Sequence, residues 1–292
     1  MSGQKSSRIV IFGATGRVGR LLADRLEETG RQLLCVGRDA DTLRNLPGEH
    51  SVLDLDKPSA NPAGIHPGDV VVNAAHARYT SRIADLCPPD ISRLIVLGST
   101  RYLSRIPDVK ADEVRAAVAS LKESSLPWVV LHPTMIYGAE GENNVQRMAT
   151  LIRRFRIIPM PGGGCALIQP VRVLDVVDAV QRTIERPDVK EIEIDIAGLE
   201  ALPYRQFLHT IAEANGTWVK VVPLPLGVVR FAARLTALLP GIPTISDAEV
   251  IRLQEDKDVD VAPARDMLGL QPRALEDGLR LTFGARTPPE VG

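Results

Sequence analysis

The stretch Phe12-Gly-Ala-Thr-Gly-Arg-Val-Gly19 follows the apolar run Arg8-Ile-Val-Ile-Phe12. It precedes Leu21, Leu22 and Leu26, which with Val18 recur at helical spacing. These residues predict a strand, a glycine-rich turn and a helix, with Gly30 just past the helix end. The three glycines have separate physical roles. Gly13 permits a tight turn, Gly16 lets the backbone approach a pyrophosphate with no Cβ in the way, and Gly19 lets the helix pack close to the sheet. The open N–H groups and partial positive charge of the helix start suit phosphate oxygens. Gly13, Thr15, Gly16, Arg17, Val18 and Gly19 are therefore the expected cradle for a dinucleotide, with a purely structural turn as the alternative.

Outward from that turn, short apolar runs alternate with amphipathic stretches. Leu33–Val36, Asp69–Asn73, Leu94–Leu97 and Trp128–Leu131 are continuously apolar or nearly so, as strands covered on both faces are. Strand, helix, strand in repetition predicts an α/β fold, a Rossmann-like parallel sheet with helices on both faces. In the second half Val173, Val176, Val177, Val180 and Ile184 mark a helix, and Glu191–Ile196 a further strand. Prolines 203, 223, 225, 240 and 243 separate the short helical segments that remain. The expected division is a dinucleotide-binding domain of residues 1–137 plus 171–198. A smaller, mostly helical substrate-binding cap takes residues 138–170 plus 199–292.

Composition excludes several classes. A length of 292 residues with 45% hydrophobic and 24% charged residues describes an ordinary globule. A net charge of −1 and a pI of about 6.5 leave no overall electrostatic footprint for nucleic acid or an anionic membrane. Cys35, Cys87 and Cys165 are odd in number and far apart, which points to a reducing, cytoplasmic compartment. The amino terminus has no signal-peptide architecture, and no His/Cys/carboxylate cluster has metal-ligand spacing, so no metal is expected. Leu224–Ile242 is the one stretch to test as a membrane span. Arg230, Arg234 and Pro240 interrupt it, so it is read as a helix packed on protein, with a membrane surface or a partner as alternatives.

The end of the second strand bears on the cofactor. Val36 is followed by Gly37, Arg38 and Asp39. Arg38 offers a planar cationic fork for a 2′-phosphate and Arg17 a second charge, whereas Asp39 suits a ribose hydroxyl. NADP is favoured, with NAD as the alternative.

With these motifs on the page, the chain resembles the extended and atypical short-chain dehydrogenases/reductases, and more specifically the NAD-dependent epimerase/dehydratase family with its nucleoside-diphosphate-sugar epimerase-like members. The resemblance rests on the Gly13–Gly19 turn, Leu53-Asp54-Leu55, Val72-Asn-Ala-Ala75, Leu97-Gly-Ser-Thr100 and His132-Pro-Thr-Met-Ile-Tyr-Gly138. Pro161–Gly164, Gln169–Val171 with Val173–Val177, and Met267–Leu270 with Pro272 and Leu275 extend it over essentially the whole chain. It implies that Asp54 and Leu55 touch the adenine, Ala74 and Ala75 line the cofactor channel, and Pro133 and Ile136 flank the nicotinamide.

The catalytic centre departs from the family pattern. The family places a serine or threonine after the fifth strand and a Tyr-x-x-x-Lys pair on the next helix, where lysine lowers the tyrosine pKa. Ser99 and Thr100 fit the first role. Asp108 is the expected cap of the helix, and Lys110, read as inward with Val114, Ala117 and Leu121, is its early lysine and a ribose contact or a solvent-facing side chain. Four residues earlier stands Ile106, which has no proton to give. Tyr102 is either the replacement proton donor or a packing or substrate contact. His76 faces the nicotinamide or is hydrogen-bonded structurally; His132 is read as buried and satisfied, and Tyr137 as packing. Arg153, Arg154 and Arg156 are a clamp for a substrate phosphate or a solvated face.

Two functions follow. The first is an NAD(P)-dependent oxidoreductase or epimerase acting on a small carbonyl, hydroxyl or nucleotide-sugar substrate, in which the cofactor supplies the redox chemistry. The second is a non-catalytic NADP(H)-binding redox sensor or assembly scaffold. Neither requires nucleic acid or an integral membrane segment, and a homodimer stays open.

Overall fold

β1 (Ile9–Phe12) is apolar and buried at every position, as a central strand covered on both faces must be. The structure, a computed structural model, describes residues 7–57, 64–139, 141, 144–236 and 247–284. After β1 comes α1 (Arg17–Glu27), whose Gly19, Leu22, Ala23 and Leu26 are buried; each leucine contributes roughly 1.5–3 kcal/mol. β2 (Leu33–Gly37), α2 (Ala40–Leu43) and β3 (Glu49–Val52) follow, then β4 (Val70–Asn73), α3 (Thr80–Leu86) and β5 (Arg93–Leu97). α4 (Val109–Lys122) leads to β6 (Trp128–Pro133). Next are β7 (Ile136–Tyr137), α5 (Asn144–Phe155), β8 (Ile157–Pro161), β9 (Leu167–Ile168), β10 (Val171–Arg172), α6 (Val173–Glu185) and β11 (Ile192–Ile196). β12 (Leu202–Pro203), α7 (Tyr204–Ala214), β13 (Lys220–Leu224) and α8 (Leu226–Thr236) precede α9 (Asp247–Arg252), α10 (Ala262–Leu268) and α11 (Leu275–Phe283).

Seven strands form one sheet in the order β11-β6-β5-β4-β1-β2-β3, and every neighbouring pair is parallel. Strand order reverses between β1 and β4. In open parallel sheets ligands bind in the crevice outside the carboxyl ends of the strands at that reversal. The fold is thus α/β and Rossmann-like.

The chain divides into two units. The first takes Met1–Pro133, Leu174–Ile196 and Val261–Leu270; the second takes Thr134–Val173, Ala197–Asp260 and Gln271–Gly292. Val261–Leu270, which the sequence reading groups with the cap, goes with the sheet because α10 packs on β11. Arg182 and Arg186 donate to the carbonyls of Leu268 and Met267 at 3.2 and 2.9 Å, and Gly269 closes α10 in the left-handed conformation. Arg93, at the start of β5, is buried and donates to the carbonyls of Thr183, Ile184, Arg186 and Val189 around the end of α6. A cation there also complements the helix dipole.

The second unit has its own core, in which Val145, Ala149 and Ile152 of α5 meet Phe207, Leu208 and Ile211 of α7. Tyr137 is buried in that core as packing, and Gly278 of α11 lies so close that a Cβ would meet the phenol oxygen at 2.1 Å. Three two-stranded pairs (β7 with β10, β9 with β12, β8 with β13) accompany the helices. α8 covers the first part of Leu224–Ile242; residues 237–242 lie outside the described residues. No helix among the described residues is long and apolar enough to cross a membrane.

Candidate functional site

The turn after β1 is shaped by backbone contacts. Gly13 has φ 73°, and a Cβ there would lie 2.6 Å from the amide nitrogen of Ala75. A Cβ on Gly19 would sit 2.2 Å from the Gly13 carbonyl oxygen, so the helix can approach only without one. The amides of Gly13 and Ala14 donate to the Val36 carbonyl at 3.0 and 3.2 Å, and Gly16 donates to Gly13 at 2.8 Å. Gly16 is the N-cap of α1 and supplies no capping side chain, and the first turn of that helix contains no acidic residue. Backbone donors and the dipole of an eleven-residue helix therefore converge where an anion would sit. Thr15 lies against Gly37, and Arg17 and Gly16 are exposed at the mouth of the turn.

The ends of β2, β3 and β4 supply the neighbouring surface. Arg38 is largely exposed, with a guanidinium nitrogen 3.8 Å from Asp56. Asp39 is engaged as the N-cap of α2, accepting from the Asp41 amide at 2.9 Å and the Thr42 hydroxyl at 2.6 Å; the Thr42 bond foremost lowers its pKa. Asp54 accepts from the Asp56 amide at 3.0 Å and pairs with Lys57 at 3.4 Å, and Leu55 packs on the core beneath. Asp56 was not anticipated. It collects Arg78 at 3.1 Å and the Tyr79 hydroxyl at 2.8 Å as well as Arg38. Buried Asn73 shapes the turn after β4, accepting from the Ala75 amide at 3.0 Å and donating to Thr80 at 3.1 Å, so Ala74 and Ala75 are held at the strand end. His76 is exposed. Its Nδ1 accepts from the Arg78 amide at 3.4 Å and lies 3.5 Å from Glu113.

At the end of β5 side chains take over. Ser99 Oγ accepts from the Arg101 amide at 3.2 Å, and the Thr100 hydroxyl donates to the Pro133 carbonyl at 3.4 Å. His132 is fully buried. Its Nδ1 accepts the Ser99 N–H at 3.2 Å and its Nε2 lies 3.1 Å from Glu193. An acceptor at Nδ1 and a carboxylate at Nε2 fix a neutral ring with its proton on Nε2. Burial lowers the His132 pKa, against the opposing pull of Glu193. Gly98 makes room for the ring, because a Cβ there would be 2.4 Å from Nδ1. The imidazole thus continues the β5–β6 ladder past its last main-chain rung, from Gly98 to Leu131 at 2.8 Å.

Tyr102 stacks on that ring at 4.3 Å, and its hydroxyl lies 3.5 Å from Asp195. Burial, then the charges of Asp195 and Glu193, push the phenol up to about 12. Burial raises Asp195 to about 6, with Glu193 adding to the shift and the Tyr102 bond opposing it. Burial also acts to raise Glu193, but bonds from Lys122 and His132 outweigh it and hold that carboxyl below its usual value.

Asp108 caps α4 as expected, accepting from the Lys110 amide at 3.0 Å, and also pairs with Arg101 at 2.9 Å. Lys110 is exposed, not inward: Val114, Ala117 and Leu121 are buried as expected, but the buried stripe opens at Ala111 and also takes in Val118. Arg115, which sequence reasoning passed over, holds the Tyr102 and Ser104 carbonyls at 3.0 and 2.7 Å and shapes the loop before α4. Pro133 is buried at the end of β6, while Ile136 belongs to β7 in the second unit. No cluster of metal-ligating residues occurs among the described residues.

No family model matches the chain. It is 23% identical over 256 residues to the mitochondrial protein "NADH dehydrogenase [ubiquinone] 1 alpha subcomplex subunit 9" of Arabidopsis thaliana, a match covering 76% of this chain and 61% of that protein. The Dictyostelium discoideum protein of the same name is 24% identical over 245 residues, covering 76% of this chain and 68% of its own length. The chain therefore spans about three fifths of the Arabidopsis relative. Among solved structures, UDP-glucose 4-epimerase of Thermus thermophilus in complex with NAD matches with a TM-score of 0.67 at 16% identity, covering 96% of this chain and 100% of that one. UDP-glucuronic acid 4-epimerase of Bacillus cereus with UDP-glucuronic acid and NAD matches with a TM-score of 0.66 at 14% identity, covering 94% and 98%. The chain shares the Rossmann-like fold of these two structures.

Proposed function

We propose that this chain binds a pyridine dinucleotide on the Gly13–Gly19 turn and uses it for sensing or assembly rather than for tyrosine-based catalysis. The carrying observation is the setting of Tyr102. A general acid/base tyrosine needs a nearby cation to lower its pKa, yet this phenol faces the carboxylate of Asp195 and is pushed up to about 12. Lys110, the lysine expected to help, is exposed on the outer side of α4. The name of the Arabidopsis relative, a subunit of a dehydrogenase complex, supports the assembly reading.

NADP is the favoured cofactor. Asp39, the group suited to a ribose 2′-hydroxyl, is engaged in capping α2, which leaves Arg38 to meet a 2′-phosphate with Arg17 across the turn. The dinucleotide would supply hydride chemistry when bound; the chain supplies backbone donors for the diphosphate and the Ala74–Ala75 edge. Unpaired thiols at Cys35, Cys87 and Cys165 agree with a reducing, cytoplasmic setting.

A second reading, an oxidoreductase or epimerase acting on a nucleotide sugar or another small carbonyl or hydroxyl compound, is favoured by Ser99. Its oxygen accepts the Arg101 amide, which leaves the hydroxyl proton for a substrate oxygen. The UDP-sugar complexes of the structural neighbours support that substrate class.

Calorimetry with NADPH and NADH, followed by a turnover screen with UDP-sugars and simple carbonyl compounds, separates the readings. Tight NADPH binding with no turnover is expected. Turnover that Tyr102→Phe abolishes would overturn the assembly reading, and absence of heat with either nucleotide would overturn both.

A further inference from the structure

A net charge of −1 conceals how the charges are distributed. From Asn144 through Leu174 the sequence has no Asp or Glu, yet it includes five arginines. From Ala214 through Ser246 there is again none, with Lys220, Arg230 and Arg234 present. The second unit brings these two acid-free stretches together, because β8 and β13 pair in parallel register with Ile157 opposite Lys220. Arg147 is engaged with Glu249, and Arg230 and Arg234 with Asp247. Among the described residues, no ion pair involves Arg153, Arg154, Arg156 or Lys220.

Apolar groups stand among those cations. Trp218 is 58% exposed, Ile157 52% and Phe155 39%. The Arg156 guanidinium lies over the Trp218 ring at 5.5 Å, and Arg153 donates to Asn215 at 3.3 Å. Arg156 itself has φ 59°, a conformation costly for a non-glycine residue. That residue makes the sharp exit from α5 into β8, and Phe155 and Ile157 on either side of it are the exposed ones.

We infer that the face formed by Phe155, Ile157 and Trp218 with Arg153, Arg154, Arg156 and Lys220 docks on an anionic phospholipid surface. The cations meet lipid phosphates and carboxylates, with a reach limited by the Debye length. Trp218, Phe155 and Ile157 enter the headgroup region, where an amphipathic ring beside arginines is at home. Charge complementarity and apolar exposure coincide here, whereas an acidic protein partner would require only the first. This inference is independent of the dinucleotide site.

The test uses the full chain and large vesicles of phosphatidylcholine, alone or with roughly 30% phosphatidylglycerol. The protein is expected to sediment with the anionic vesicles only and to be released at about 0.5 M salt, where the Debye length is a few ångströms. The chain has two tryptophans and Trp128 is buried in β6, so emission shifting to shorter wavelength reports Trp218 entering the bilayer. Arg153→Glu with Arg154→Glu should weaken binding by about tenfold or more, and Trp218→Ser should remove the emission shift. Circular dichroism melts, unchanged in both variants, show that the fold survives; if either variant melts early, Lys220→Gln with Arg154→Gln gives the same reading. No sedimentation with anionic vesicles, equal sedimentation with phosphatidylcholine, or undiminished binding by the charge-reversed protein would each overturn the inference. So would binding to polyglutamate as tightly as to vesicles, which points instead to an acidic protein.

Discussion

The turn after β1 and the turn after β5 stand two strands apart at one edge of one sheet, yet they are built in opposite ways. At the first, side chains are excluded: Gly13, Gly16 and Gly19 let backbone meet backbone, and the donors left over are amides. At the second, a side chain does the work of backbone, as the His132 imidazole provides the acceptor that the β5–β6 ladder lacks for Ser99. A turn made of amides is indifferent to pH. A turn hung on imidazole and carboxyl groups is not.

The sharpest way to break this comparison is Gly19→Val. Its Cβ would lie 2.2 Å from the Gly13 oxygen, a clash with backbone that cannot rotate away, and the expected cost exceeds about 4 kcal/mol, read as loss of folded protein by circular dichroism. Survival with an ordinary melting temperature would show that the turn has room to give.

His132→Leu comes next. It leaves the Ser99 N–H without an acceptor inside the sheet, at an expected cost of about 2–3 kcal/mol in denaturant melts. The sign with pH follows from the ring being neutral in the fold. With a folded pKa lowered below the ordinary 6.5, its contribution is complete above that value and is lost as pH falls below it. The wild type should therefore lose stability on that acid limb more steeply than His132→Leu.

At the first turn, Arg38→Ala should weaken NADPH binding by roughly tenfold, about 1.4 kcal/mol, and leave NADH affinity unchanged. Equal losses for both nucleotides would remove Arg38 from any 2′-phosphate contact.

The smallest effect is expected at Asp195. Its carboxyl is raised from 3.8 to about 6, so its stabilising contribution is complete below 3.8 and is lost as pH rises through about 6. A shift of that size corresponds to roughly 3 kcal/mol, cut to about 1 by the solvent exposure of the group. Asp195→Asn should match the wild type near pH 4 and melt higher at pH 8. No difference at pH 8 would mean that the carboxyl is already well solvated.

Legibility followed the same division. The strand–turn–helix at Arg8–Glu27 could be read from adjacent residues because its geometry is a matter of backbone space. β3 carries no apolar run to read: Glu-His-Ser-Val is an edge strand with mostly exposed side chains. In β8 and β13 it is prolines that interrupt the strand pattern. At the second turn the sequence itself points to His132 as buried and satisfied and to Asp108 as a cap, but carries no local signal for Glu193 and Asp195. Their importance depends on β11 pairing with β6 some sixty residues away, with Asp195 opposite His132. The sequence pattern places Lys110 inward because a stripe drawn through Val114 and Leu121 admits either Lys110 or Ala111 as its first member. Burial of the small residue, and not of the ammonium, settles that choice.

Arg93 has a consequence for the order in which the molecule is made. The two terminal nitrogens of its guanidinium donate to carbonyls of Thr183, Ile184, Arg186 and Val189, about ninety positions downstream. While the ribosome is still translating the stretch between, this charge has nothing to shelter it, and β5 cannot bring its first residue into a dry interior. Completion of the central layer during synthesis must therefore wait for α6 to emerge from the exit tunnel. Until then six strands share a nascent sheet whose future edge, β11, has not yet been translated.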